Sequence, residues 1–250
     1  MSKSGKSGSK SGGGSSKRNQ GADRRLSKRV KTARGRKPSS TQWLQRQLND
    51  PYVAEAKRLG YRSRAAFKLI ELDERFRLLK PGQNPPQRIV DLGAAPGGWT
   101  QICVDRLSGK KPTDENPVVA MDLQEIDPMV GAIFIQHDFM DDDAPQLLFD
   151  ALDGPVDLVL SDMSPATTGH KSTDHLRIMA LSETAAHFAT EVLAPGGAFV
   201  SKVFQGGAEH DLLTMLKQNF DQVRHFKPPS SRSESAETFV VAQGFRGRQE

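Results

Sequence analysis

A lysine stands in the middle of the stretch FVSKVFQGG (199–207), among residues that otherwise read as buried β-strand. Phe199, Val200, Val203 and Phe204 are apolar, aromatic or β-branched, and lysine is rarely buried in such company unless it is paired. Lys202 is therefore a candidate for chemistry. Burial lowers a lysine's pKa and so can turn it into a base near neutral pH; a neighbouring cation acts in the same direction and a carboxylate opposes it. The bland account is an edge lysine that protects a sheet from aggregation, but this strand is expected to be central and parallel. Asp162, in LSDMSPATTG (160–169), ends the preceding strand of the series at a similar level.

A second feature is the glycine-rich turn VDLGAAPGGWTQ, where an apolar strand runs through glycines into a helix. Glycines let a ligand approach the backbone, and the helix start supplies free N–H groups. The spacing is not G-x-G-x-x-G, and Pro96 removes one donor, which suits a pyrophosphate poorly. Asp122 ends the next strand, roughly where a ribose-binding acid belongs, and Asp138 ends the one after. Taken singly, Gly93, Gly97 and Gly98 are compatible with a tight turn, and the two acids with solvated loops. Acids at successive strand ends, with Asp162 as the third, favour a ligand site, because open α/β sheets bind ligands outside the carboxyl ends of their strands.

The elements that must position these groups alternate along the chain. Strands are expected at 88–93, 117–123, 132–138, 156–163, 198–204, 222–227 and 237–243, and helices at 98–107, 144–152, 173–193 and 208–219. Earlier helices begin near Ser39 or Ser40 and at Ser63, the latter running to about Leu79 before Pro81-Gly82. This is the pattern of a mostly parallel sheet with helices on both faces. No helix separates the last two strands, so one of them is expected to be antiparallel.

Charge divides the 250-residue chain. Residues 1–40 hold 13 Lys+Arg against Asp23 alone, and the remainder carries 22 basic and 29 acidic residues. The segment 1–38 is rich in Gly, Ser, Lys and Arg and is expected to be a disordered basic tail, with 39–250 as the folded domain. Such a tail suits phosphate binding or simple solubility. Arg58, Arg62, Arg64, Lys68 and Arg232 flank the candidate site in sequence and suggest a basic track for structured RNA. Cys103 is the single cysteine, so there is no internal disulfide, and the histidines show no zinc-ligand spacing with it. No metal is expected. No apolar run approaches a membrane span and no secretory leader is evident, so the expected setting is cytoplasmic. A monomer is expected, and neither a membrane nor DNA as a partner.

Five motifs in order, SRAAFKL (63–69), DLGAAPGGW (91–99), DMSPATTG (162–169), KVFQG (202–206) and SSRSESAETFVVA (230–242), resemble the FtsJ/RrmJ (RlmE) family. The similarity covers about residues 39–245. It implies a Rossmann-like, S-adenosylmethionine-dependent methyltransferase fold with seven strands, one of them antiparallel. It implies 2′-O-ribose methylation of a uridine in 23S rRNA of the 50S subunit. The family's Lys-Asp-Lys-Glu tetrad falls on Lys68, Asp162, Lys202 and Glu237. Its cofactor-binding residues fall on Gly97, Trp99, Asp122, Asp138 and Asp162. His137 departs from the family, which commonly has glycine there. Without the resemblance, Lys68 is one cation on an amphipathic helix, Trp99 a core aromatic and Glu237 a solvated edge residue.

Other functions compete. An NAD-type oxidoreductase is disfavoured by Pro96 and by the lysine–acid set. An amino-group methyltransferase would show N/D-P-P-F/Y where this chain has DMSP. A non-catalytic ribosome assembly factor would need neither three strand-end acids nor Lys202. A 2′-O-methyltransferase of another RNA, such as a cap enzyme, shares the tetrad but not the motif order.

Overall fold

The structure, a computed structural model, describes residue 1 and residues 38–82, 87–107, 118–165, 168–204 and 209–247. Apart from Met1 and Pro38, the expected basic tail lies outside the described residues, as do Gln205–Gly207 of the stretch around Lys202. Residues Met1–Asn49 and Asp50–Glu250 are separate compact units. The first holds helix α1 (Pro38–Asn49), close to the expected start.

The second unit opens with α2 (Pro51–Leu59), a helix that the periodicity does not assign. Its signals are local. The Asp50 side chain caps it by accepting from Tyr52 N, Pro51 occupies the first turn, and Gly60 ends it with a left-handed φ of 77°. Helix α3 (Ala65–Phe76) is shorter than expected, because Arg77 adopts φ 55° and stops it well before Pro81.

Seven strands then form one sheet: β1 (Ile89–Leu92), β2 (Val118–Asp122), β3 (Ala132–Gln136), β4 (Val156–Ser161), β5 (Leu193–Phe204), β6 (Phe220–Phe226) and β7 (Glu237–Phe245). Between them lie α4 (Gly98–Leu107), α5 (Ala144–Ala151), α6 (Lys171–Val192) and α7 (His210–Asn219). The strand order is β3-β2-β1-β4-β5-β7-β6. Strands β1 to β5 pair in parallel, and β7 runs antiparallel to both neighbours, β5 and β6. Lys202 is thus on a central strand, with a parallel partner on one side and an antiparallel one on the other. Pro195-Gly196-Gly197, expected to close the preceding helix, instead lies inside β5, where the register to β4 shifts between Val156 and Leu158. A strand can carry proline and glycine at such an irregularity.

Strand alternation splits the core into two layers. Val90, Val159, Phe199 and Val240 pack against α5, α6 and α7. Ile89, Leu158, Val200 and Phe239 pack against α3 and α4. Gly98 lets α3 and α4 start close together: a Cβ there would strike Ser63 Oγ. The chain turns outward in opposite directions from β1, to β2 on one side and β4 on the other, which makes their carboxyl ends the topological switch point.

Gly93 leaves β1 there with φ 75°, and a Cβ would lie 2.7 Å from the backbone Cα of Met163. Backbone cannot yield as a flexible side chain does. Gly93→Ala is expected to cost about 3 kcal/mol or more, from strain plus overlap. Gly60→Ala, at a similar φ with nothing within 4 Å, should cost about 1 kcal/mol. Urea unfolding of both variants checks this; equal losses would remove the steric account.

Candidate active site

Four charged side chains from four elements meet at the carboxyl edge of the sheet. Lys68 comes from α3, Asp162 is the first residue past β4, Lys202 lies near the end of β5 and Glu237 opens β7. The β5–β7 register sets Lys202 opposite Phe239 and Phe204 opposite Glu237, so Lys202 and Glu237 are diagonal neighbours on one face. Lys202 Nζ lies 3.0 Å from Asp162 Oδ1 and donates to the Asp162 carbonyl at 2.7 Å. Lys68 Nζ lies 2.7 Å from Glu237 Oε1 and 3.6 Å from Asp162 Oδ2. The same ammonium sits 5.5 Å from the centroid of the Phe239 ring, a favourable site for a cation.

These side chains are only 6–16% exposed. A lone charge there would cost several kcal/mol, whereas two lysines against two carboxylates sum to zero. Burial alone would raise the Asp162 pKa, but the charges of Lys202 and Lys68 outweigh it and hold the carboxyl below its ordinary range. Burial likewise pulls Lys68 down, and Asp162 and Glu237 outweigh it, so Lys68 stands above its ordinary value. Lys68 is a fixed cation at neutral pH.

Asp162 also lines a cleft of about 510 Å³, together with Gly93, Asp122, Asp138, Met163 and Arg177. Asp122 and Asp138 are more than solvated loop acids. Asp122 accepts from Ala95 N at 2.9 Å and from Gln124 N at 2.8 Å; Asp138 accepts from Met140 N at 2.9 Å. Each carboxylate ties down a turn at the cleft wall. His137 is on the wall too, with Nε2 2.8 Å from Asp143 Oδ1.

Gly97 and Trp99 are placed differently. Neither is among the wall residues. Trp99 is buried, donates from Nε1 to Ala65 O at 2.8 Å and packs on Phe239. Its ring belongs to the core between α3 and α4. Cys103 is fully buried, and burial pushes its thiol well up, as expected of a packed rather than a reactive cysteine.

Of the arginines of the expected basic track, Arg62, Arg64 and Arg232 are drawn inward, whereas Arg58 stays exposed. Arg58 pairs with Glu55 at 2.6 Å. Arg62 donates to the carbonyls of Asp127 and Pro128. Arg64 pairs with Asp50 at 3.2 Å and donates to Ser230 O, and Arg232 reaches Asp50 at 3.3 Å. Arg62, Arg64 and Arg232 clamp loops around the site, so their charges face acids and carbonyls of this chain.

Asp91 is an acid between Val90 and Leu92 in a four-residue buried strand, the same kind of sequence signal as Lys202. It is 1% exposed. Its Oδ2 accepts from Thr100 Oγ1 at 2.6 Å, and its Oδ1 has no hydrogen-bond partner among the described residues. Burial, and the nearby charges of Asp162 and Asp122, push its pKa up to about 7 against the pull of Thr100.

A glycine-lined strand-to-helix turn at the switch point, acids at three strand ends and an antiparallel β7 define a Rossmann-like methyltransferase. Within that class the chain belongs to the FtsJ-like methyltransferase family, whose model matches residues 61–245. It is 65% identical over 230 residues to a protein of Paramagnetospirillum magneticum named ribosomal RNA large subunit methyltransferase E, covering 92% of this chain and 93% of that one. A Rhodospirillum rubrum protein of the same name is 61% identical over 251 residues, covering 96% and 94%. A crystal structure of a Plasmodium falciparum protein described as a ribosomal RNA methyltransferase superposes with a TM-score of 0.64 at 32% identity, over 75% of this chain and 100% of that one.

A carboxyl held near 7 rather than at its ordinary 3.8 has an ionised form disfavoured by roughly 4 kcal/mol. The folded chain binds this proton more tightly than the unfolded chain, so the group's stability contribution is lost as pH rises from about 4 to about 7. Asp91→Asn keeps an acceptor for Thr100 without the charge. Its melting temperature, relative to wild type, is expected to rise by several degrees between pH 5 and pH 8. A difference independent of pH would contradict this origin.

Proposed function

We propose that the protein transfers a methyl group from S-adenosylmethionine to the 2′-hydroxyl of a uridine in 23S ribosomal RNA of the 50S subunit. The observation that carries this is the double position of Asp162, which lines the cleft and pairs with both lysines. A cofactor in the cleft and a hydroxyl held by the lysines would meet at that one residue. The names of the relatives point to large-subunit ribosomal RNA, and the motif resemblance adds the ribose hydroxyl and the uridine. A cytoplasmic, monomeric enzyme goes with this reading.

The cleft suits the cofactor chemically. Its volume is within the ordinary range for a small-molecule site. Among the described wall residues, three carboxylates face one guanidinium, that of Arg177. That set favours a ligand with a ribose diol, an ammonium and a sulfonium, and disfavours the pyrophosphate of NAD. Asp122 and Asp138 are assigned to the cofactor's hydroxyl and amine donors. Gly97 and Trp99 are assigned to it on the family resemblance alone, since neither lines the cleft and the Trp99 ring is held in the core.

When bound, S-adenosylmethionine would supply the methyl carbon, the carbon–sulfur electron pair leaving with sulfur. The chain's own residues do the rest. Lys202, once its ammonium has released a proton to solvent, accepts the proton of the 2′-hydroxyl, and as the ammonium it steers that oxygen in line. Asp162 fixes Lys202 through two contacts. Lys68, a permanent cation, stabilises negative charge on the oxygen, and Glu237 orients Lys68.

The test is transfer of labelled methyl to undermethylated 50S subunits, followed by mapping of the modified ribose. Lys202→Ala is expected to lose ~10²–10⁴ in rate, the usual value of a positioned base, with cofactor binding retained. Lys202→Arg should lose as much, because arginine does not deprotonate; full activity in that variant would exclude the base role. Absence of transfer to any RNA, with RNA binding intact, would favour an assembly factor.

A further inference from the structure

The tetrad is held from behind by a network that ends on Glu71. Ser230 N donates to both oxygens of the Glu71 carboxylate, at 2.9 and 3.1 Å, and Ser230 Oγ donates to Oε2 at 2.7 Å. Ser230 is 1% exposed. Its carbonyl accepts from Arg64, whose guanidinium is paired with Asp50. The next residue, Ser231, is 9% exposed and donates from Oγ to Glu237 Oε1 at 3.3 Å. That is the oxygen that lies 2.7 Å from Lys68 Nζ. Lys227 Nζ closes the other side of the loop by donating to the carbonyls of Ser233 and Ser235.

Glu71 and Lys68 lie three residues apart on α3, one turn of helix. The loop before β7 is thus tied to the same helix that delivers Lys68. We propose that Glu71 is a positioning residue for the methyl-transfer site: through Ser230 and Ser231 it sets where the Glu237 carboxylate stands against Lys68. The inference rests on the function proposed above. It assigns to Glu71 no contact with RNA or cofactor. A carboxylate that accepts three hydrogen bonds from one residue places that residue in a single position, and a misplacement of about 1 Å at a reacting centre can cost ~10²-fold in rate.

The role predicts a particular kinetic signature. Glu71→Ala is expected to lower kcat about 10-fold, while KM for S-adenosylmethionine stays within about twofold of wild type. Glu71→Gln, which keeps an oxygen acceptor for Ser230, should restore most of the rate. Ser231→Ala, a one-atom deletion, should lower kcat several-fold with little change in melting temperature, and it carries the test with Glu71→Gln if the alanine variant at 71 folds poorly. The decisive readout is a double-mutant cycle by single-turnover methyl transfer. In a Glu237→Ala background, Glu71→Ala should cost under twofold, because the carboxylate it positions is gone. Additive losses, or unchanged kcat in Glu71→Ala and Ser231→Ala, would overturn the positioning role while leaving the function intact. Wild-type enzyme that transfers no methyl group would overturn the function and this role together.

Discussion

The structure turns on one buried carboxylate shared by two ammonium groups. Asp162 sits between Lys68 and Lys202 at the edge of the sheet, among the described residues the one acid that faces Lys202 and, with Glu237, one of two that face Lys68. Its own ionisation depends on them in return, since burial alone would favour the protonated acid. Glu237 supplies the second negative charge that makes the group neutral as a whole. The constraint is mutual, and it fixes four elements relative to one another: α3, the end of β4, β5 and β7.

The sheet makes that meeting possible. Parallel strands end on one side, so residues that follow β1, β2 and β4 gather without any direct sequence proximity. Inserting β7 between β5 and β6 with reversed direction starts a strand, instead of ending one, at this edge. Glu237 is that starting residue. The helices then set the depth of the site, with the Gly98 backbone admitting Ser63 and the Trp99 indole bonding the first turn of α3. Much of what looks like surface charge nearby serves the same end, as Arg64 and Arg232 converge on Asp50.

The alternating elements, an antiparallel member among the last two strands, Lys202 and Asp162 are legible in the residues themselves, because a lysine in an apolar strand and an acid at a strand end violate local pattern for a reason; Lys68 and Glu237 come only from the family resemblance. Helix α2 was not legible from periodicity, since its nine residues carry only Ala56 as a buried position; its caps were the available signal. The ends of α3 and β5 depend on backbone choices, a left-handed Arg77 and an irregularity at Pro195, that residue type alone does not dictate. Glu71 and Ser230 were hidden for another reason. An acid on an amphipathic helix and a serine in a polar loop look ordinary until the fold brings together residues 159 positions apart. The arginines near the site show the same limit, because sequence shows charge and not what it faces.

The placement of β7 also bears on biosynthesis. The residues lining the cleft lie between Gly93 and Leu181, whereas Glu237 and the serines behind it follow β6 near the carboxyl end of the chain. A ribosome making this protein exposes the whole cleft-forming segment before it has polymerised the last strand of the tetrad. The cleft and the proposed reaction centre are thereby separated in time. An incomplete translation product carries Lys68, Asp162 and Lys202 without the carboxylate that balances them, and only the nearly finished chain brings the charges at the centre of the site to neutrality.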